Sequence, residues 1–363
     1  MAKLNYLNLK RSYFFVTFAF IVLLNNSEAK QLEQDPNYIS KFKTRLNFRL
    51  QVNQNNFRQA INPLSSLVYT KSELNNAQLN YGSYLPFSSG FSFNFMFGGF
   101  GIDFRFTEKY FNKNNKPVTN FKDFKLNIVG NKLCFEAYYD RFKRNYYLRE
   151  DKLFSPLPNF DSQISSSHWG LSMRLITNAS RFSYKAAFMQ SEFQKKSAAT
   201  FLVWFGTEQN QLLRPQGLFV DTTVKRYYEN LQQLTKLRQQ AWFVLPGFAG
   251  NIVYQQFYFA TSVYVGSGPQ FNKQYTDTAV FRKVNLPFMS KARGSLGING
   301  KTVYTGIFAN VDYTRSTFQT LKSEYFNYKM GVFLGVRLIK QTKTKAEKQE
   351  EKRKLKEDKN RRA

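Results

Sequence analysis

Residues 325–340 read YFNYKMGVFLGVRLIK. Taken alternately, Phe326, Tyr328, Met330, Val332, Leu334, Val336 and Leu338 make one wholly apolar face. Tyr325, Asn327, Lys329, Gly331, Phe333, Gly335 and Arg337 make the other, which carries charge and glycine. A period of two is the mark of a strand with two unlike sides. The apolar side must meet either a protein core or lipid. Seven alternating residues come close to the hydrocarbon depth that a tilted strand crosses.

The same period recurs along the chain. Phe42, Leu46, Phe48, Leu50 and Val52 oppose Lys43, Arg45, Asn47, Arg49 and Gln51. Further alternating runs lie at 91–95, 102–106, 124–128, 133–139, 169–175, 182–188 and 303–313. Turn signals separate them, Asn299-Gly300 being the strongest hairpin dipeptide. These runs predict an all-β fold of about 14 strands in antiparallel hairpins, with 12 as the alternative count. A soluble sandwich has the same alternation. Four features favour a closed, up-and-down transmembrane β-barrel. The strands are long, no crossover helix is evident, and Arg and Lys sit deep inside strands. Aromatics (Tyr138, Tyr139, Tyr146, Tyr147, Trp204, Phe205, Trp242) gather near strand ends, as interfacial girdles would. The last strand should close the barrel against Phe42–Val52. One point conflicts: counting these runs puts the polar stretches 109–120 and 149–166 at the opposite end from 209–238 and 268–286, which points to a strand miscounted in 61–85 and one missed near 209–238. The third stretch contains DTTVKRYYENLQQLTKLRQQ, which reads as a short surface helix.

The two ends of the chain read differently. Lys3, Lys10 and Arg11 precede the uncharged run Tyr13–Leu24, and Ser27 and Ala29 follow as small residues. This is the pattern of a cleaved export signal over residues 1–29. A 12-residue run spans about 18 Å as a helix, short of a hydrocarbon core of roughly 30 Å. Residues 30–340 would form the barrel. The tail, 341–363, has 10 Lys/Arg and 5 Asp/Glu with almost no apolar residue, and cannot bury a core. On the periplasmic side it could touch peptidoglycan, anionic lipid or an envelope partner. The single Cys134 excludes an internal disulfide. Net charge is +29, yet an exported chain meets outer-membrane lipid and lipopolysaccharide phosphate, with no nucleic-acid partner expected.

Strand parity assigns a lumen. Lys43, Arg45, Arg49, Arg105, Lys125, Lys132, Arg174, Lys185, Lys291, Arg293, Lys329 and Arg337 should point inward with Asp103, Asp123, Glu136, Asp140 and Asp312. Two outcomes follow from that excess of cations: a ring that favours anions in an open pore, or a salt-bridged plug with no conduction. No motif for a metal or cofactor is present. His168, the one histidine, falls on a polar face, and Ser166, Ser167 or Ser172 could pair with it as a dyad. Such spacings are commonplace, so no catalytic residue is assigned. Cys134 reads as a buried, inert thiol.

The stretches FSYKAAFMQSEFQKKSAATFLVWF (182–205), LNYGSYLPFSSGFSFNFMFGGFGIDFRF (79–106) and GSLGINGKTVYTGIFANVDY (294–313) resemble the family called domain of unknown function 4421. The resemblance runs from about 40 to 340, and the QKKSAA turn is its most specific piece. It implies an outer-membrane β-barrel from Bacteroidota with no assigned activity, and it supplies no catalytic residues. The basic tail departs from the family pattern. Three functions are therefore carried forward: a passive channel for small anions, a structural or accessory barrel that anchors an envelope complex, and a lipid-modifying enzyme around His168.

Overall fold

A computed structural model describes residues 34–42, 44–64, 77–83, 88–97, 100–110, 119–148, 159–219, 225–318 and 321–340. The export signal and the tail of the sequence reading lie outside these residues. In chain order the strands are β1 (Ile39–Lys41), β2 (Thr44–Pro63), β3 (Leu79–Gly82), β4 (Ser88–Phe97), β5 (Phe100–Tyr110), β6 (Asn120–Val129), β7 (Leu133–Leu148), β8 (Asn159–Ile176) and β9 (Glu192–Gln194). They continue with β10 (Ala198–Leu213), β11 (Leu234–Tyr254), β12 (Phe257–Gly266), β13 (Gln270–Thr276), β14 (Val280–Asn285), β15 (Phe288–Asn299), β16 (Val303–Phe318) and β17 (Leu321–Lys340).

Among the described residues, β2, β4, β5, β6, β7, β8, β10, β11, β12, β15, β16 and β17 each pair antiparallel with the next. The pairing of β17 with β2 then closes a ring of twelve. The hairpin β13–β14 continues the sheet from the upper part of β11, so the hydrogen-bonded path holds fourteen strands. The predicted closure is observed: Val336 stands opposite Phe48, Leu334 opposite Leu50 and Val332 opposite Val52. Closure leaves no unpaired edge in the ring, which a sheet in lipid requires.

The closing strand has the two faces its sequence implies. Val332, Leu334 and Leu338 are 53, 52 and 58% exposed, whereas Phe333 and Arg337 are 3 and 5%. Every ring strand with described side chains follows suit. Phe91, Phe124, Phe248, Phe259, Leu296 and Ile307 face out, while Asn53, Asn94, Asn127, Ser172 and Ser262 are buried. The outward face matches the apolar belt of a membrane barrel, and the interior holds polar side chains together with a buried cluster around Trp204 and Phe333. Gly335 serves the closing strand by leaving room for the Tyr304 ring, which a β-carbon there would strike.

The β2–β4, β5–β6, β7–β8, β10–β11 and β12–β15 connections leave from one end of the ring, opposite residues 44 and 340, and the short turns at 130–132, 255–256 and 300–302 lie at the other, together with the long β8–β10 connection. The conflict in loop placement is thereby removed. Its cause is the run 182–188, which is no ring strand. After β8 the chain turns into the barrel from the short-turn end, forms a π-helical turn (Lys185–Met189), and reaches Gln190 at φ 53. It then pairs β9 with β1. Phe182 to Ala187 are all buried there, Ser183 and Lys185 included, so the run's alternation does not mark a lipid-facing side.

Two more expectations are corrected. The surface helix reduces to a 3-10 turn (Arg226–Leu231), and Tyr228 within it is fully buried. Tyr139, Phe205 and Trp242 face outward, but Trp204 and Tyr146 are buried and Tyr138 turns inward. Neighbours in sequence point to opposite sides, so only one of each adjacent pair can join a girdle. The side chain of Tyr147 lies outside the description.

Because Val332 sits midway along the outward stripe, Val332→Arg should cost about 2–4 kcal/mol of folding free energy, the figure for a charge at the bilayer midplane. The same change at Val280, near the long-loop end, should cost at most about 1 kcal/mol. Urea unfolding in lipid vesicles measures both.

Candidate functional site in the lumen

The lumen is filled in three layers. At the short-turn end, the segment after β8 seals the opening. Glu192 accepts from Ser183 Oγ at 2.6 Å and Gln34 Nε2 at 3.0 Å and pairs with Lys185 at 2.8 Å. Arg337 holds the same segment: its guanidinium donates to the carbonyls of Gln190 and Gly300 and to Asn299 Oδ1 at 2.6 Å. Asn299 in turn donates to the Glu192 carbonyl at 2.9 Å. Arg49 reaches Gln190 Oε1 at 3.3 Å and lies 3.7 Å from the centre of the Phe333 ring.

The middle layer carries the charge. Glu136 of β7 binds Lys125 of β6 at 2.7 Å and Arg174 of β8 at 2.8 Å. Arg174 also stacks 3.8 Å over Trp204. Glu208 of β10 binds Lys291 of β15 at 2.6 Å, and Asp312 of β16 binds Arg293 at 2.7 Å. Lys329 of β17 pairs with Asp123 of β6 across the barrel. Tyr138 lies over Gly170, where a β-carbon would come within 2.6 Å of its ring. That slot lets its hydroxyl reach His168 Nε2 at 2.9 Å and Glu208 Oε2 at 3.2 Å. On the other side of His168, Nδ1 is 3.8 Å from Asp140.

At the long-loop end, an apolar layer covers the charges. Leu218, Phe219, Tyr228 and Leu231 fold inward against Ile61, Leu79 and Leu321. The Tyr228 hydroxyl lies 2.9 Å from the carbonyls of both Ile61 and Ala77 and shares its one proton between them. β3 pairs with the upper ends of both β2 and β7, bridging them beyond the shorter β4–β6. Small cavities lie among the described residues. A cavity of about 60 Å³ lies among Asp123, Tyr138, His168, Asp312 and Lys329, and one of about 50 Å³ lies below it beside Arg49 and Tyr184. Each has room for a few water molecules.

The sequence-assigned residues sort accordingly. Arg49, Lys125, Arg174, Lys291, Arg293, Lys329 and Arg337 meet inside, with Asp123, Glu136, Asp140 and Asp312. Lys185 is buried too, but on the π-helical turn. Lys132 is exposed in the turn between β6 and β7, since Gly130–Lys132 leave the ladder there. Lys43 lies outside the described residues, as do the side chains of Arg45, Asp103 and Arg105. The proposed Ser–His dyad is not assembled. Ser166 and Ser172 share the lumen face, yet the group hydrogen-bonded to His168 is Tyr138. Cys134 is buried. Sequence reading missed Glu208, Glu192 and Tyr138. Glu208 could have been found by extending the alternation of Leu202 and Trp204 through Gly206.

A closed antiparallel ring with an apolar exterior and a polar interior defines an outer-membrane β-barrel protein. The chain belongs to the family of domain of unknown function 4421, whose model matches residues 33–337. No curated protein matches it. Similar solved structures include the outer membrane protease OmpT from Escherichia coli, 6% identical, covering 81% of this chain and 97% of that one at a TM-score of 0.38. The Pseudomonas putida toluene transporter TodX is 8% identical over 81% of this chain and 90% of its own, at 0.30. The translocator domain of the autotransporter NalP from Neisseria meningitidis is 9% identical over 91 and 98%, also at 0.30.

Glu136 compensates two buried cations, so Glu136→Gln should destabilise the barrel by about 3–5 kcal/mol. Adding Lys125→Gln and Arg174→Gln should recover part of that loss, because the stranded charges go with it. The check is the unfolding midpoint of the three variants in vesicles.

Proposed function

We propose that the protein is a sealed outer-membrane barrel serving as a structural or accessory anchor of the cell envelope, and not an open anion pore. The observation that carries this reading is the closure of the lumen at three levels: the Arg337-held segment, the paired charges and the apolar cover. A pore that selects anions needs cations facing water along a continuous path. Here Lys291, Arg293 and Arg174 are each neutralised by a carboxylate instead.

In this reading residues 1–29 are a cleaved export signal, 30–340 the barrel and 341–363 a periplasmic basic tail. Long loops face outward and short turns inward, the usual orientation of such barrels. That orientation puts Gln34 and Lys340 on the periplasmic side, where the tail meets peptidoglycan, anionic lipid or an envelope partner. His168 faces the enclosed lumen, away from any lipid it would modify.

In planar bilayers the purified wild type should show no steady conductance. A variant with residues 183–194 replaced by a short Gly-Ser loop should show flickering current. Steady wild-type conductance overturns the sealed-barrel reading. Mass spectrometry of protein from the outer membrane should place the mature amino terminus at Lys30.

A further inference from the structure

On the outer surface one row of the β-ladder runs across six neighbouring strands and the β14 strand. It reads Lys122, Arg141, Ser167, Gln211, Arg238, Lys273 and Arg282, each residue directly opposite the next. Five of the seven are cations and none is acidic. Like charges placed directly opposite each other destabilise a sheet. The chain nonetheless sets Arg238, Lys273 and Arg282 side by side, and among the described residues no carboxylate forms an ion pair with these three. Arg238 donates only to the neutral Gln209 amide, at 2.5 Å.

Exposed apolar side chains flank the row on its short-turn side. One outward step toward the short-turn end lies Phe124 below Lys122, Tyr139 below Arg141, Phe271 below Lys273 and Val284 below Arg282; all four are exposed apolar side chains. Below Arg238 come Gln240 and then the exposed Trp242. Cations stacked immediately above a hydrocarbon-facing belt stand at the height of lipid headgroups.

From this placement we infer that the row is a binding site for the phosphate groups of anionic outer-leaflet lipid, with Arg238, Lys273 and Arg282 at its centre. A phosphate oxygen cluster supplies the negative charge that the ladder lacks. Arg contributes forked donors and Lys a point charge, the usual pair for phosphate. The inference rests on the membrane-barrel reading with the long loops outward, and is independent of whether the lumen conducts.

The test uses the full-length protein in phosphatidylcholine vesicles with and without a minor fraction of lipopolysaccharide. Wild type should unfold at higher urea when lipopolysaccharide is present. The triple variant Arg238→Gln, Lys273→Gln, Arg282→Gln should show no such shift, and in phosphatidylcholine alone it should match or exceed wild type, since the repulsion is gone. Each near-surface cation contributes roughly fivefold to anionic-lipid affinity, so the triple change should weaken lipopolysaccharide binding on the order of a hundredfold. If the triple variant fails to fold, Lys273→Gln alone should weaken binding by roughly fivefold. A triple variant that responds as wild type does, or a wild type that does not respond, overturns the site. A wild-type shift reproduced by inorganic phosphate in phosphatidylcholine vesicles overturns its assignment to lipid. The conductance measurement is separate, so an open pore with an intact lipid response would remove the sealed-barrel reading and leave this one standing.

Discussion

Everything in this structure depends on the closure of β17 against β2. Once the ring is shut in hydrocarbon, each strand has one side for lipid and one for the interior. The strands are rich in Lys and Arg, and a charge turned to the bilayer midplane is costly. The interior therefore receives them, and there each needs a carboxylate or, as at Arg337, a set of carbonyl acceptors, because the effective penalty of an unpaired buried ion is several kcal/mol. The pairing of Glu136, Glu208, Asp123 and Asp312 with Lys and Arg of other strands follows from that constraint. Two of those pairs, Lys329–Asp123 and Lys291–Glu208, tie together strands that are not neighbours in the ring.

How much of this was legible depends on the period of two. The closing strand was read correctly, face by face, because Phe326 to Leu338 alternates without a break and neither side allows an exception. Arg49, Lys125, Arg174 and Arg293 were placed inside by the same parity. The run 182–188 shows where parity fails. FSYKAAF alternates as well as any strand, but it is followed by Gln190, which adopts a left-handed conformation, and by the buried Glu192. Its apolar side meets the inside of the barrel and not lipid. Alternation reports one apolar neighbour and cannot say which, so a lumen segment and a spanning strand look alike in sequence. That one misreading reversed the ends of every later loop.

Partners were less legible than faces. Asp123 and Lys329 lie 206 positions apart in the chain, and only closure of the ring brings them together. Tyr138 looked like a girdle residue because it sits beside Tyr139. Its actual place is set by Gly170 on the next strand, whose missing side chain admits the ring. Such pairings are properties of register, which the alternation of a single strand does not contain.

Register also explains why inside and outside treat charge so differently. In the lumen Arg174, Lys291 and Arg293 each face a carboxylate at 2.6–2.8 Å, while Arg337 is held by backbone carbonyls and Asn299. On the outer surface the row from Lys122 to Arg282 is equally continuous, but serine and glutamine stand where acids would balance it. A protein selected only for stability would break that row, as the lumen shows this chain can do. Glu136, Glu208 and Asp312 are thus engaged in the lumen, and among the described residues Arg238, Lys273 and Arg282 at the lipid boundary have no carboxylate partner. On the sealed-barrel reading, interaction with other molecules falls there and not through the barrel's centre.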